Sequence, residues 1–530
     1  MAARNMRRLR ALVVAITVAL TAAPAARAET PGPAAHDLGA NVSMPVDWAT
    51  EVPFVDVFRL SRPWISQRQG QPWGQGGPLA VDANGWVTSL EPGQYADTVM
   101  LGNGGHYPTG RYTIRWDGSG TISFLGTAAV VSTQPGRMEI DVAAPRAGSP
   151  GGLVLRILAT EPANPMRNIR VLMPGTEATH QRQPFNPRFL AAVRGYGSIR
   201  FMNWMATNYE PTGEWSRRPT AASRGWHQLE EGVPVETMVD LANHLDQDPW
   251  FTLPHRATDE YVREFARVVR DRLEPGLVPY VEYSNETWNA QFPQTAHVIE
   301  RGLALGLSAD RFLAGLRYTS QRSVEIFRIW RAELGDRPLR TVIATQGIPS
   351  GWALRQVLAW QDAWRETDAA AIAPYFGGAV VNTPALAEQV RTWNVDQLLD
   401  AVDANLDGQV RTIIQNNVAE AVARGVEPVA YEGGQHLVAP RGHENDRQLV
   451  DLLVAANRHA RMGRAYTRYL ALWDDTGGGR FMSFADVDAP GQYGSWGALE
   501  NLYQDPMTAP KFRALMAWGG RGWYGRIPAP

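Results

Sequence analysis

Beyond Pro165 the chain alternates two hydrophobic rhythms: short apolar runs, and longer stretches whose apolar residues recur at helical spacing. The apolar runs predict strands at Asn168–Met173, Ser198–Trp204, Pro249–Pro254, Leu277–Ser284, Arg340–Gln346, Ala370–Phe376, Glu427–Tyr431 and Arg468–Trp473. Between them the spacing predicts helices over Pro187–Val193, Val235–Gln247, Asp259–Leu273, Gln294–Leu334, Ala353–Trp364, Pro384–Asp400 with Gln409–Arg424, and Asp446–Met462. In Asp259–Leu273 the residues Val262, Phe265, Val268, Val269 and Leu273 recur at helical spacing, Asp259 is placed to cap the start, and Pro275-Gly276 ends it. Gly425 is placed to close the helix before the seventh strand. Eight strands alternating with helices predict an α/β fold, a (β/α)₈ TIM barrel over residues 166–520. A doubly wound sheet is disfavoured, because neither GxGxxG nor GxxxxGK[ST] follows a first strand.

Ahead of the barrel the rhythm is different. Residues 78–165 hold short alternating runs (Thr98–Leu101, Arg111–Trp116, Thr121–Phe124, Arg137–Val142, Val154–Ala159), separated by turns such as Asp117-Gly118-Ser119-Gly120 and Pro135-Gly136. That spacing predicts a small N-terminal β-sandwich-like module. Residues 29–77 are punctuated by Pro and Gly but too apolar for a free linker, so they are expected to pack on a domain. Residues 1–28 read as a signal peptide: Arg4, Arg7, Arg8 and Arg10 precede the apolar run Ala11–Leu20, and Ala26-Arg27-Ala28 offers a cleavage site. That core is too short to span a bilayer permanently, and no later run reaches spanning length. A secreted or periplasmic protein with no membrane partner after signal removal is the expectation.

Composition narrows the classes. With no cysteine, neither disulfides nor thiolate chemistry is available. A net charge of −2 gives no basic footprint for nucleic acid. Lys511 is the one lysine in an Arg-rich basic complement. Nineteen Trp is a high count, and Trp204, Trp226, Trp288, Trp473 and Trp496 fall at predicted strand ends or in loops, where packing alone is a weaker explanation.

Barrels of this kind keep their chemistry at the carboxyl ends of the strands, and polar residues gather there. Strand two ends Arg200-Phe-Met-Asn203-Trp204, strand three at His255-Arg256, strand four at Asn285-Glu286 with Trp288 beyond, strand six at Pro374-Tyr375, strand seven at Glu432-Gly433-Gly434-Gln435-His436, and strand eight at Trp473. A carboxylate moves protons, an amide binds hydroxyls, and an indole stacks on the apolar face of a pyranose. Strand alternation puts Glu282, Ser284 and Glu286 on one face, and Pro428, Ala430 and Glu432 on one face, which sets Glu286 and Glu432 across the barrel mouth.

Asn-Glu closing strand four with a lone Glu closing strand seven resembles the large clan of retaining glycoside hydrolases with (β/α)₈ barrels, often called clan A. The match covers Asn285, Glu286 and Glu432, and more loosely Tyr375, Trp473 and Arg200. Tyr-Ser-Asn-Glu-Thr-Trp-Asn and the stretch Tyr493-Gly-Ser-Trp-Gly-Ala-Leu-Glu500 look like a group of secreted bacterial proteins of this type, some labelled cellulose-binding. The chain departs from the clan at strand six, where Ala373-Pro374 stands in place of the common His before Tyr375.

The resemblance implies an acid/base role for Glu286 and a nucleophile in Glu432. It also implies a Tyr375 bond to the nucleophile and a sugar platform at Trp473. Asn285, Arg200, Asn203, Trp204, His255, Trp288, Tyr375, His436 and Trp473 are the expected substrate-binding set. Retaining hydrolysis needs two carboxyls about 5–5.5 Å apart, one protonated and one ionised. The expected partner is a β-linked polysaccharide or oligosaccharide, handled by a monomer without metal or organic cofactor. Two alternatives stand beside it: a non-catalytic polysaccharide-binding protein on a barrel scaffold, and an exo-glycosidase such as an arabinofuranosidase.

Other chemistries fit less well. Asp403-Ala-Asn405-Leu-Asp407-Gly408 begins like a calcium loop, but its twelfth position is Ile414 rather than Glu. The ten His form no HExxH pair, and no GxSxG occurs.

Overall fold

Eight parallel strands close on themselves in the order Leu38–Asn41, Ser198–Arg200, Asp248–Leu253, Tyr280–Tyr283, Arg340–Ala344, Ala369–Ile372, Glu427–Ala430 and Phe481–Phe484, the last pairing with the first. The computed structural model describes residues 37–149, 151–209 and 213–520, so the expected signal peptide lies outside the described residues. The TIM barrel expected from the alternation is present, with strands two to seven where the apolar runs put them.

Strands one and eight are elsewhere. Asn168–Met173 does form a strand (Arg167–Leu172), but it pairs antiparallel inside the β-module. Barrel strand one is Leu38–Asn41, before the module. Arg468–Trp473 lies inside the helix Ala460–Asp475, and strand eight follows it. That helix carries buried Met462, Tyr466, Tyr469, Leu470 and Trp473 on the face it packs inward, so a fragment of its sequence is as apolar as a buried strand.

The module spans two four-stranded antiparallel sheets. One runs Ile65–Arg68, Gln94–Met100, Leu153–Thr160, Gly120–Gly126; the other runs Arg167–Leu172, Gly110–Asp117, Arg137–Val142, Ala128–Gln134. It is therefore a β-sandwich, as the spacing predicts, but its outer strands lie beyond 78–165 at both ends, and it is inserted between barrel strands one and two. The loop after strand one is tied to it closely. Gly102 N donates to Asp47 O at 2.7 Å, Asn103 Nδ2 to Ala49 O at 2.9 Å, and Arg62 makes two bonds to the Asp47 carboxylate at 3.0 and 2.8 Å.

The helical layer follows from amphipathic spacing. Asp259–Arg272 buries Val262, Phe265 and Val269, and its start is capped by the Thr258 hydroxyl accepting from Tyr261 N rather than by Asp259. Phe265 meets Phe251 of barrel strand three and Trp330 of the helix Arg311–Leu334, all three fully buried. Burying each such ring is worth about 1.5–3 kcal/mol. Gly425, at φ +68, follows the helix Arg411–Val422 in the left-handed conformation that suits a glycine after a helix end. Asp403 and Asp407 of the rejected calcium loop lie in helical segments and pair with Arg468.

Inside the barrel, Trp250, Tyr280, Val342, Ala371, Val429 and Tyr431 fill the lumen. On strand seven the inward positions are thus Val429 and Tyr431, and Ala430 packs outward into the helix-facing core. Strand alternation alone assigned that face wrongly, and Glu432 reaches the mouth because the strand ends at Ala430.

Candidate active site

The site is organised by Arg200, the last residue of barrel strand two. Its guanidinium is wholly buried between the rings of Trp250 and Tyr431. Nε and Nη2 donate to the two oxygens of Glu282 at 3.1 and 3.2 Å. Nη1 donates to Glu432 at 2.8 Å and to Asn41 at 3.0 Å, and Nη2 also reaches Asn285 at 2.8 Å. A buried charge survives when it is paired and hydrogen-bonded on all sides, and strands one, two, four and seven meet here to do that. Glu282, the inward residue of strand four, also accepts from Trp250 Nε1 at 2.8 Å. Burial pushes Glu282 up to about 7 against the pull of Arg200.

Two further carboxyls stand at the mouth. Glu432 accepts from Arg200 at Oε1 and from the Tyr375 hydroxyl at Oε2, at 2.8 and 2.9 Å. Burial raises its pKa, and the Arg200 charge and these two donors pull it back. Glu286 accepts from Tyr431 Oη at 3.2 Å and from Asn289 Nδ2 at 2.8 Å. Among the described residues no arginine is hydrogen-bonded to it. Burial first, and then the charge on Glu432, push Glu286 up to about 7. The pair is therefore unequal: one carboxyl is held by a cation, while the other keeps a proton on part of the population at neutral pH.

Local backbone delivers Glu286. Strand four stops at Tyr283, and both Ser284 (φ +60) and Glu286 (φ +41) adopt the left-handed conformation, which is uncommon outside glycine. Such residues persist where the surroundings fix them. Here Asn285 between them is clamped, its Oδ1 by Arg200 and its Nδ2 by Asn208 Oδ1 at 3.2 Å.

The residues expected at the site divide clearly. Arg200, Asn285, Tyr375 and Glu432 form one hydrogen-bonded set, and Glu286 stands beside it, bonded to Tyr431 and Asn289. His436 joins through ring contacts, edge-on to Tyr375 at 5.3 Å and to Trp496 at 5.1 Å. Asn203 donates to Val42 O at 2.9 Å and lines a cavity beside the mouth. Trp288, just past Glu286, is half-buried, with its indole nitrogen unpartnered among the described residues.

Three expectations fail. Trp204 is fully buried among Phe54, Phe189 and Phe201. Trp473 is fully buried on a helix, packed on Phe481 and donating to Gly479 O, so it offers no sugar platform. His255 is buried edge-on to His297 of the helix Pro293–Ala304, in surroundings that hold its pKa at about 4 through burial and the neighbouring His297 and Arg256 charges. Gly433 is small for packing: a Cβ there would strike the Phe481 ring at 2.4 Å.

The indole at the mouth belongs to Trp496, on the loop after strand eight. It meets Tyr375, His436 and Phe484 at 5.8, 5.1 and 5.6 Å, and donates from Nε1 to Tyr493 O at 2.9 Å. Gly494, at φ +121, lets it lie there, since a Cβ would come 2.5 Å from Trp496 Nε1. Glu282, Asn289 and Trp496 were legible as residue types but not as site members, because strand order and loop path decide their placement. Among the described residues no group of three or more His, Asp or Glu is arranged to hold a metal ion, and no helix is long and apolar enough to cross a membrane.

No family model matches the chain, and no curated protein matches it. Solved structures similar to it include the GH51 arabinofuranosidase from Xanthomonas axonopodis pv. citri, at 13% identity and TM-score 0.35, covering 57% of this chain and 60% of that one. A 4-O-α-L-rhamnosyl-β-D-glucuronidase from Fusarium oxysporum 12S matches at 12% identity and TM-score 0.40, covering 63% and 64%. A GH5-4 broad specificity endoglucanase from Clostridium longisporum matches at 10% identity and TM-score 0.36, covering 65% and 89%. The chain spans less than two thirds of the length of the first two.

Proposed function

We propose that the chain is an exported retaining glycoside hydrolase that cleaves β-linked polysaccharide or oligosaccharide, with Glu286 as acid/base and Glu432 as nucleophile. The observation that carries this reading is the inequality of the two mouth carboxyls: Arg200 and Tyr375 donate to Glu432, while Glu286 is bonded by Tyr431 and Asn289 and is raised to about 7 by burial and then by the Glu432 charge. Glu286 delivers a proton to the glycosidic oxygen as the bond to the sugar breaks, and Glu432 attacks the anomeric carbon to form a glycosyl ester. Glu286, now ionised, takes a proton from water, and the resulting hydroxide equivalent releases the sugar with its original anomeric configuration. Tyr375 and Arg200 favour the ionised form of Glu432 and orient it for attack.

Reducing-sugar release from a glycan panel, run beside binding to the same glycans, tests the reading. Glu432→Gln is expected to lose nearly all turnover. Glu286→Gln is expected to lose roughly 10²–10⁴-fold on natural glycans, with recovery on substrates whose leaving group needs no proton. Proton NMR of the first product should show retained configuration. Wild-type turnover in both variants, or binding without release by the wild type, would overturn it.

A further inference from the structure

Two cavities meet at Trp496. One, of about 510 Å³ of open space, lies over barrel strands eight, one and two, walled by Trp48, Val46, Phe484 and Trp496 with Asn203 and Asp488 as polar partners. The other, of about 1470 Å³, lies over strands six to eight and is lined by His436, Arg441, Glu444, Tyr493, Trp496 and by Gln291 from the loop after Glu286. Neither lining includes Glu286 or Glu432, but each cavity shares rings that touch Tyr375, the residue bonded to Glu432: Phe484 and Trp496 on one side, His436 and Trp496 on the other.

Each cavity presents an exposed aromatic ring: the Trp48 indole is held by its neighbours, and Tyr493 stands on a hydrogen-bonded turn. Trp48 is 44% exposed, yet its neighbour Asp47 is fixed by Arg62 and by the module's Gly102, the Arg62 guanidinium lies 5.5 Å from the indole centroid, and the His227 ring meets it edge-on. Tyr493 is 72% exposed at the tip of a turn in which Gly491 and Gly494 exchange backbone hydrogen bonds. Exposed rings cost solvation, and a ring ordered before ligand arrives loses little entropy on binding. An aromatic wall with carboxyl, amide and guanidinium groups at its edge suits the apolar face and hydroxyl rim of a pyranose.

We infer, resting on the glycosidase reading, that the two cavities form one run of sugar subsites with Trp48 and Tyr493 as platforms in its two arms. The substrate is then a β-linked chain of several sugars, bound on both sides of the cleaved bond and cut internally.

The test uses β-1,4-linked oligomers of glucose, xylose and mannose, from two to six units, with the wild type, Trp48→Ala, Tyr493→Ala and Glu432→Gln. Turnover is read by product analysis and binding by calorimetry on Glu432→Gln, alone and combined with each aromatic change. On at least one ladder, kcat/KM and affinity are expected to rise with length. Each aromatic variant should lose about tenfold on the longest oligomers and little on dimers, the loss of one stacking contact, and should shift which internal bond is cut.

Length-independent kcat/KM and affinity on every ladder, or length profiles unchanged by both aromatic variants, would overturn the inference. The two readings separate through Glu432→Gln. If it abolishes a release that is length-independent, only the subsite inference falls. If it releases sugar as the wild type does, the catalytic assignment falls, while length-dependent binding that is lost in Trp48→Ala and Tyr493→Ala still supports the subsites.

Discussion

Asn289 is the most direct handle on the proposed acid. Its Nδ2 donates to Glu286 Oε2 at 2.8 Å, and such a bond favours the ionised carboxylate. Replacing Asn289 with Ala removes that donor while leaving Tyr431 on the other oxygen. A hydrogen bond to a charged group is worth about 1.5–3 kcal/mol. Water that enters the vacated space returns part of this, and 1.36 kcal/mol corresponds to one pH unit, so the Glu286 pKa is expected to rise by about one pH unit. The sign of the kinetic effect follows. Glu286 must be protonated to act on the leaving group, so kcat/KM falls as pH rises through its pKa, which lies at about 7 in the free protein. In Asn289→Ala the alkaline limb moves to higher pH, and at pH 8 the variant retains a larger share of its own maximum than the wild type does. A kcat/KM profile from pH 4 to 9 on a substrate with a poor leaving group reads this directly. An alkaline limb that stays put or moves to lower pH would refute the assignment of Glu286 as the proton donor.

Tyr375→Phe removes a donor from Glu432 Oε2 and raises the pKa of that carboxyl, so the acid limb of the same profile should move upward by up to about one pH unit; an unmoved acid limb would count against Glu432 as the nucleophile. Arg200→Met leaves Glu282 and Glu432 buried without their cation, a loss of about 3–5 kcal/mol at neutral pH and a fall in Tm on the order of 5 °C. Without Arg200 the folded-state pKa of Glu282 rises further above its unfolded value, so the deficit should be smaller near pH 5, where the carboxyl is protonated in both proteins, and should grow as pH rises through 7; thermal melts at pH 5 and 8 with equal deficits would refute it.

Much of this architecture is legible in the sequence because barrel strands two to seven are bounded by turn residues and followed by amphipathic helices. The ends were harder for a physical reason. Barrel strand one is Leu-Gly-Ala-Asn, which has neither β-branched residues nor alternation and is defined only by its partners on both sides. Strand eight is four residues long and follows a helix of comparable apolarity. The apolar runs still number eight because a module strand and a piece of helix are as apolar as the two barrel strands at the ends. The same misplacement explains Trp473: its spacing puts it at a strand end, while the indole at the mouth is Trp496, a loop further on. Glu432 is legible from its position just past a strand end and not from strand alternation, since Val429 and Tyr431 face inward and Ala430 outward. What no spacing rule reveals is the guanidinium that links strands one, two, four and seven, since Arg200 and its partners are brought together only when the barrel closes.

The β-sandwich leaves the barrel after its first strand and returns before its second. Modules that hang from a chain terminus can swing on a linker and search for material at a distance. This one is moored at both ends to neighbouring staves of the same closed sheet and laced again at Asp47 and Ala49. Its orientation is thereby set by the barrel itself, and it acts as a fixed buttress to the rim that carries Trp48. Removing it would require a new connection between strand one and strand two, the two neighbours it joins.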